Sequence, residues 1–145
     1  MPRLRAALVI PLTGKLARFG RESATALTLW AESAVGLPTS WTGVDLEIWD
    51  ADPDPGAAMQ AAIETRPDVL FGPYESSPAL AAARATDRVL WNHGGATSAL
   101  RRPGFPRVIN LLSPASSYPD GVLRAVRAAD SGASREPAAR FHRVR

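Results

Sequence analysis

At 145 residues the chain is long enough for one domain with a real core and too short for two ordinary domains around a cleft. An apolar fraction of 46% beside 21% charged residues excludes a fully disordered chain, and the absence of cysteine removes disulfides, thiolate nucleophiles and cysteine-held metals together. The net charge of +3 is carried by arginine, Lys15 being the sole lysine, with Arg124, Arg127, Arg135, Arg140, Arg143 and Arg145 gathered late in the chain. That basic end lacks interleaved aromatics and any recognisable nucleic-acid module, so a solvated tail and no nucleic-acid partner are expected.

Met1-Pro2-Arg3-Leu4-Arg5 has the charge of a leader's start, but the apolar run Ala6–Leu12 is short and no small-residue cleavage site follows it. That run reads as a strand buried on both faces of a parallel sheet, ended by Thr13-Gly14. After Phe19-Gly20, residues Ser23, Leu27, Trp30, Ala31 and Ala34 recur at helical spacing until Gly36 and Pro38 stop the pattern. Val44–Asp50 alternates apolar with mainly acidic positions, as a half-exposed or edge strand does. Asp54 before Pro55 is a helix cap followed by proline at the first helical position, and Met59 with Ile63 follows as an i, i+4 pair. Val69–Gly72 is a short buried strand, Ser77-Pro78 repeats the cap logic, and Ala79–Ala83 is a run of strong helix formers. Val89–Trp91 and Val108–Leu112 are two further strands, joined by a loop from Gly94 to Pro106. A last helix begins near Pro119 with Val122, Leu123 and Val126 on one face. No segment approaches the ~18–20 apolar residues of a membrane span, so no membrane insertion is expected and the product as written is expected in the cytoplasm.

Alternating strands and helices predict an open parallel α/β sheet with helices on both faces. Ligands of such sheets bind at the carboxyl rim of the strands, at the switch point of strand order, which directs attention to Thr13–Gly20, Gly72–Ser77 and Asn92–Ser98. Gly72-Pro73-Tyr74-Glu75-Ser76-Ser77-Pro78 places two serines at a helix amino end, where free N–H groups and the helix dipole favour a carboxylate or phosphate. The plainer alternative is that Ser77 caps the helix and Ser76 faces solvent. Asn92-His93-Gly94-Gly95-Ala96-Thr97-Ser98 offers bare backbone and small hydroxyls as a second pocket edge, with a flexible loop as its alternative. The two turns are expected side by side on one rim, their amides facing a shared hollow.

Asp50, Asp52 and Asp54 lack the glycine and bidentate glutamate of a calcium loop and read as strand-end and cap residues; no metal and no cofactor are expected. Trp30, Trp41, Trp49 and Trp91 read as packing residues. His93 has no partner in reach by sequence and is weak evidence for a base or a ligand. Neither a phosphate loop nor a nucleophile elbow is present, and an acidic pair after the first strand is missing, so no catalytic residues are expected.

Taken in order, Ile10–Gly14 with Phe19-Gly20, Ile48–Asp54, Phe71-Gly72-Pro73 with Ser76-Ser77, and Trp91–Thr97 resemble the opening half of the leucine/isoleucine/valine-type solute-binding proteins, the type I periplasmic binding proteins of ABC transporters. The resemblance runs from about Ala6 to Ala129. It implies a truncated Rossmann-like lobe at 1–114, an orphan helix at 115–129 resembling the start of a second lobe, and a basic linker or tail at 130–145. It implies a ligand site from Phe19, Tyr74, Ser76, Ser77, Gly94, Gly95, Ala96 and Thr97. In that family the serine matching Ser76 and the loop matching Gly94–Thr97 hold a ligand carboxylate, and the aromatic matching Phe19 lines the cleft. Ala96 stands where a threonine is often found, so amides and small acids remain open beside amino acids.

The implied function is binding of a small polar metabolite without catalysis, weak in one lobe alone. A separately encoded second lobe or an ABC permease is the implied partner, and family members work in the periplasm or anchored outside the cell. The other reading is a cytoplasmic sensor or protein-interaction module. The helix from Pro119 lacks its normal sheet, leaving Val122, Leu123 and Val126 to form an exposed apolar patch or to pack on a partner chain.

Overall fold

The computed structural model describes residues 2–133. Strand β1 (Leu4–Ile10) is buried on both faces, Ala6 through Ile10 being almost wholly removed from solvent. It pairs in parallel with β2 (Val44–Asp50) on one side and β3 (Val69–Tyr74) on the other, and β4 (Leu90–Gly94) and β5 (Val108–Asn110) complete the order β2-β1-β3-β4-β5. Strand order reverses between β1 and β3, so helices must pass on opposite faces if every crossover is right-handed. Helix α1 (Ala17–Ser33) lies on one face, where Leu8, Ile10 and Ala24 pack with Leu27, Leu46, Phe71 and Tyr74. Helices α2 (Pro55–Glu64) and α3 (Ser76–Arg84) cover the other, enclosing Val9, Met59, Leu70, Ala79, Leu90 and Leu100. The expected open parallel sheet with helices on both faces is therefore observed.

Local chemistry explains the joints. Asp54 caps α2 by accepting from the Gly56 and Ala57 amides at 3.0 Å each, with Pro55 just inside the helix, as its sequence requires. Asp50 braces the end of β2 against β1, accepting from the Leu12 amide at 2.9 Å, the Thr13 hydroxyl at 2.7 Å and the Asp52 amide at 3.0 Å. The strand-end and cap readings of Asp50 and Asp54 thus hold, and among the described residues no three histidine or acidic side chains come together as a metal site. All four tryptophans are half-buried packing residues.

Several boundaries move. Val89 precedes β4, which runs on through His93 and Gly94, and β5 stops at Asn110 instead of Leu112. The expected loop from Gly94 to Pro106 contains a 3-10 turn at Ser98–Arg101 capped by Thr97, which sequence periodicity is too short to reveal. Helix α4 (Tyr118–Ala133) follows a second 3-10 turn (Ala115–Ser117) and runs four residues past the expected end at Ala129. Val122, Leu123 and Val126 are exposed at 64%, 51% and 51% within this chain. The rest of the expected tail, with Arg135, Arg140, Arg143 and Arg145, lies outside the described residues.

Gly20 is where α1 meets the end of β1: a Cβ there would collide with the Pro11 carbonyl. Gly20→Ala should destabilise the chain by about 1–3 kcal/mol through this overpacking, read as a lower denaturation midpoint at unchanged slope.

Candidate functional site

β3 and β4 run in register, Gly72 beside Asn92 and Tyr74 beside Gly94, and the Glu75 amide donates to the Gly94 carbonyl at 3.1 Å. The turn at Ser76-Ser77 and the turn at Gly94-Gly95 therefore sit side by side on the carboxyl rim of the sheet. The second turn is shaped by Asn92, a wholly buried amide in the middle of β4. Its Nδ2 donates to the Gly95 carbonyl at 2.6 Å and to Asn110 Oδ1 at 2.8 Å, while its Oδ1 accepts from the Gly95 amide at 2.8 Å. A side chain at Gly95 would meet Ala79 and Asn92, so only glycine fits. One expectation changes here: the Gly95 amide turns inward to Asn92 and is not free for a ligand. The competing demand is that of a buried side-chain amide, which must be satisfied.

The first turn also departs from expectation. Ser77 does not cap α3; the helix starts one residue before it at Ser76, the preceding Glu75 occupies the cap position, and no side chain caps the end. The Ala79 amide reaches the Glu75 carbonyl at 3.1 Å, and Pro78, which has no N–H to lose, fits inside the first turn. The first amides of α3 are therefore left without a side-chain acceptor at the positive end of the helix. Ser76 is half-buried on this rim and Ser77 is exposed. Glu75 has φ 77° and ψ 154°, a region that glycine alone adopts without strain.

Beside these turns Phe19, from the first turn of α1, stacks on Tyr74 with ring centroids 4.8 Å apart and planes 8° from parallel, and Phe19 keeps 43% of its surface exposed. Ala96 and Thr97 complete the rim with restricted roles: the Ala96 carbonyl accepts from the Ala115 amide at 2.7 Å, and the Thr97 hydroxyl accepts from the Ala99 amide at 3.2 Å. All eight residues expected at the site belong to loops or element ends at this one edge.

A neighbouring hollow of about 400 Å³ lies where the turns after β1, β2 and β3 meet, walled by Pro11, Leu16, Pro53 and Pro78 with Lys15, Asp52 and Glu75 at its polar positions. Sequence reading pointed to the first and third of these turns and missed the second. The signal was present in Asp52-Pro53-Asp54-Pro55, two prolines that hold the turn after β2 in place.

Two titrations follow from the surroundings. Burial opposes the charge of Asp50, but hydrogen bonds from the Asp52, Leu12 and Thr13 groups outweigh it and hold its pKa below the ordinary value. For His93, burial pushes the pKa down; the Trp91 carbonyl partly opposes the shift, yet neither ring nitrogen meets hydrogen-bond geometry with a partner.

No family model matches the sequence and no curated protein does. Solved structures do. The chain aligns with a benzoate-bound ABC-transporter solute binding protein from R. palustris at TM-score 0.72 and 19% identity, covering 88% of this chain and 38% of that one. The leucine binding protein LivK of Thermotoga maritima gives 0.68 at 18% identity over 89% of this chain and 38% of its own. A 4-hydroxybenzoate-bound solute binding protein from R. palustris gives 0.68 at 15% identity over 88% and 36%. The chain has the fold of one lobe of a type I periplasmic binding protein. It spans about 38% of the length of the first such protein, and the lobe's carboxyl rim is where the eight expected residues gather.

Asn92→Ala should cost about 2–3 kcal/mol, because it orphans the buried Gly95 amide and carbonyl and takes the donor from Asn110 Oδ1, and chemical denaturation will read the loss. Glu75→Gly should stabilise the lobe by about 1 kcal/mol by relieving its backbone. A depressed histidine pKa favours the folded state above the unfolded value and loses that contribution as pH falls through it. Stability should therefore drop between pH 7 and 5, and His93→Leu should flatten that drop in urea titrations across this range.

Proposed function

We propose that this lobe binds a small carboxylate-bearing metabolite at its carboxyl rim and does not transform it. The observation that carries the reading is the uncapped start of α3 lying beside the Gly94–Thr97 turn. It offers free main-chain donors and the Ser76 hydroxyl to an anion, next to the exposed face of Phe19. Support comes from the shared fold with receptors whose structures hold benzoate or 4-hydroxybenzoate and with a leucine binding protein. The Phe19–Tyr74 stack gives an apolar wall for the ligand's body, either an aromatic ring or a branched aliphatic chain. Ser76 supplies a hydroxyl contact, Ser77 and Ala96 supply main-chain contacts, and Gly94, Gly95 and Thr97 shape the rim.

A cleft between two lobes buries a ligand from both sides, and a lobe alone contacts only one. Binding by this chain alone is accordingly weak, in the millimolar range or roughly −4 kcal/mol, and a complementary lobe strengthens it. Within that assembly an ABC permease is the receiving partner. The exposed stripe on α4 favours a second role in contacting another protein chain, as in a sensor or interaction module built on the same fold.

Titration of the labelled chain with benzoate, leucine and acetate, followed by NMR, tests the reading. Shifts should cluster at Phe19, Ser76, Ser77 and Ala96 with millimolar midpoints. Ser76→Ala should weaken binding about fivefold, the worth of one hydrogen bond. Micromolar binding by the lone chain, or shifts confined to other surfaces, would refute it.

A further inference from the structure

The three turns that meet at the rim differ in what their carboxylates hold. Asp50 accepts from the Leu12 and Asp52 amides and the Thr13 hydroxyl, and Asp54 accepts from the Gly56 and Ala57 amides. Asp52 and Glu75 are left with acceptor capacity to spare. Among the described residues Asp52 accepts only from the Thr13 hydroxyl at 3.4 Å, a donor that Asp50 already holds at 2.7 Å. The Glu75 carboxylate has neither a hydrogen bond nor an ion pair there, and Lys15 pairs with neither acid. The Asp52 carboxyl group lies over Gly14, where a Cβ would come within 2.9 Å of both its oxygens.

Both of these carboxylates line the hollow of about 400 Å³, a volume within the range of small-molecule sites, about 300–1,000 Å³. It has room for part of a metabolite and not only for an ion. Its other walls are largely apolar, with Pro11, Leu16, Pro53 and Pro78 among them. On the three turns Lys15 stands alone against Asp50, Asp52, Asp54 and Glu75, so the hollow is negative on balance. Glu75 and Pro78 also belong to the start of α3, so one wall of the hollow is continuous with the helix end whose first amides lack a side-chain acceptor. Glu75 keeps its place on a backbone that glycine alone adopts without strain, so a carboxylate stands there against the local preference.

We infer that the hollow receives the far end of the rim's ligand, and that this end is a cation, an ammonium or amidinium held by Asp52 and Glu75. The ligand's carboxylate then lies at the start of α3 beside the Phe19–Tyr74 stack, and an apolar chain leads from it along the prolines. The substrate class is a carboxylate with a cationic group at its other end. This inference rests on the proposed carboxylate seat and adds a second charge to it.

NMR titration of the labelled whole chain with 5-aminopentanoate and with pentanoate tests it, since the two differ only by the terminal ammonium. Both should shift Ser76. The amino acid should also shift Gly14, Lys15, Asp52 and Glu75, and it should bind about fivefold more tightly, the upper worth of an exposed ion pair. Asp52→Asn with Glu75→Gln should bring that ratio to about one, and raised salt should shrink it by screening. Equal midpoints in the wild type, with Ser76 shifted by both ligands, overturn the inference and leave the carboxylate seat standing. No shift with either ligand overturns the seat and the inference together. A preference that survives the double substitution overturns the inference, and so does tighter binding of glutarate than of 5-aminopentanoate, which would assign the hollow to Lys15. Should the double variant not fold, the wild-type spectra decide: without the added shifts at Asp52 and Glu75 the inference falls.

Discussion

Two-sided burial of β1 governs this molecule. A strand with Ala7 through Ile10 sealed from water can exist only with neighbours on both edges and helices on both faces. One condition thereby fixes β2 and β3 beside it, α1 on one side and α2 on the other. The reversal of strand order next to β1 follows, and with it the gathering of three turns at one rim. Each turn then receives its own local brace: Asp50 at the end of β2, the Glu75 amide on Gly94 between β3 and β4, and Asn92 beneath the Gly94–Thr97 turn. The rim is thus a product of the core, and its chemistry is a product of which amides the braces consume.

That division explains how much of the molecule could be read from residues alone. The fold was legible because its signals are repetitive: a continuous apolar run for β1, alternation in β2, and Asp54-Pro55 opening α2. The carboxyl rim was legible too, since small residues at strand ends mark where backbone lies bare. Its hydrogen bonding was not. Ser77 before Pro78 has the look of a cap, yet proline is equally content within a first turn, and the sequence does not distinguish these cases. Asn92 has a contact to Asn110, eighteen positions away, that decides where the Gly95 amide points, and no local pattern carries such information. The hollow beside Asp52 arises only when three separate turns meet.

The donors left over are few and well placed. With the Gly95 amide engaged by Asn92 and the Thr97 hydroxyl oxygen accepting from the Ala99 amide, the start of α3 and Ser76 remain uncapped next to an aromatic pair. Such a surface sets uncapped main-chain donors and a hydroxyl against an apolar aromatic face. Lys15, Asp52 and Glu75 around the adjoining hollow add both signs of charge within reach of the same rim.

β2 forms one border of the sheet, where Glu47 stands in the open and Asp45 is held by Arg3 in an exposed ion pair at 2.6 Å. Charged side chains along that border oppose edge-to-edge pairing with another strand, and so stacking into fibrils from that direction. The opposite border is the three-residue β5, too brief to template a lengthening ribbon. A chain with so much apolar surface at one end is therefore shielded from runaway polymerisation by the strand that lies farthest from it.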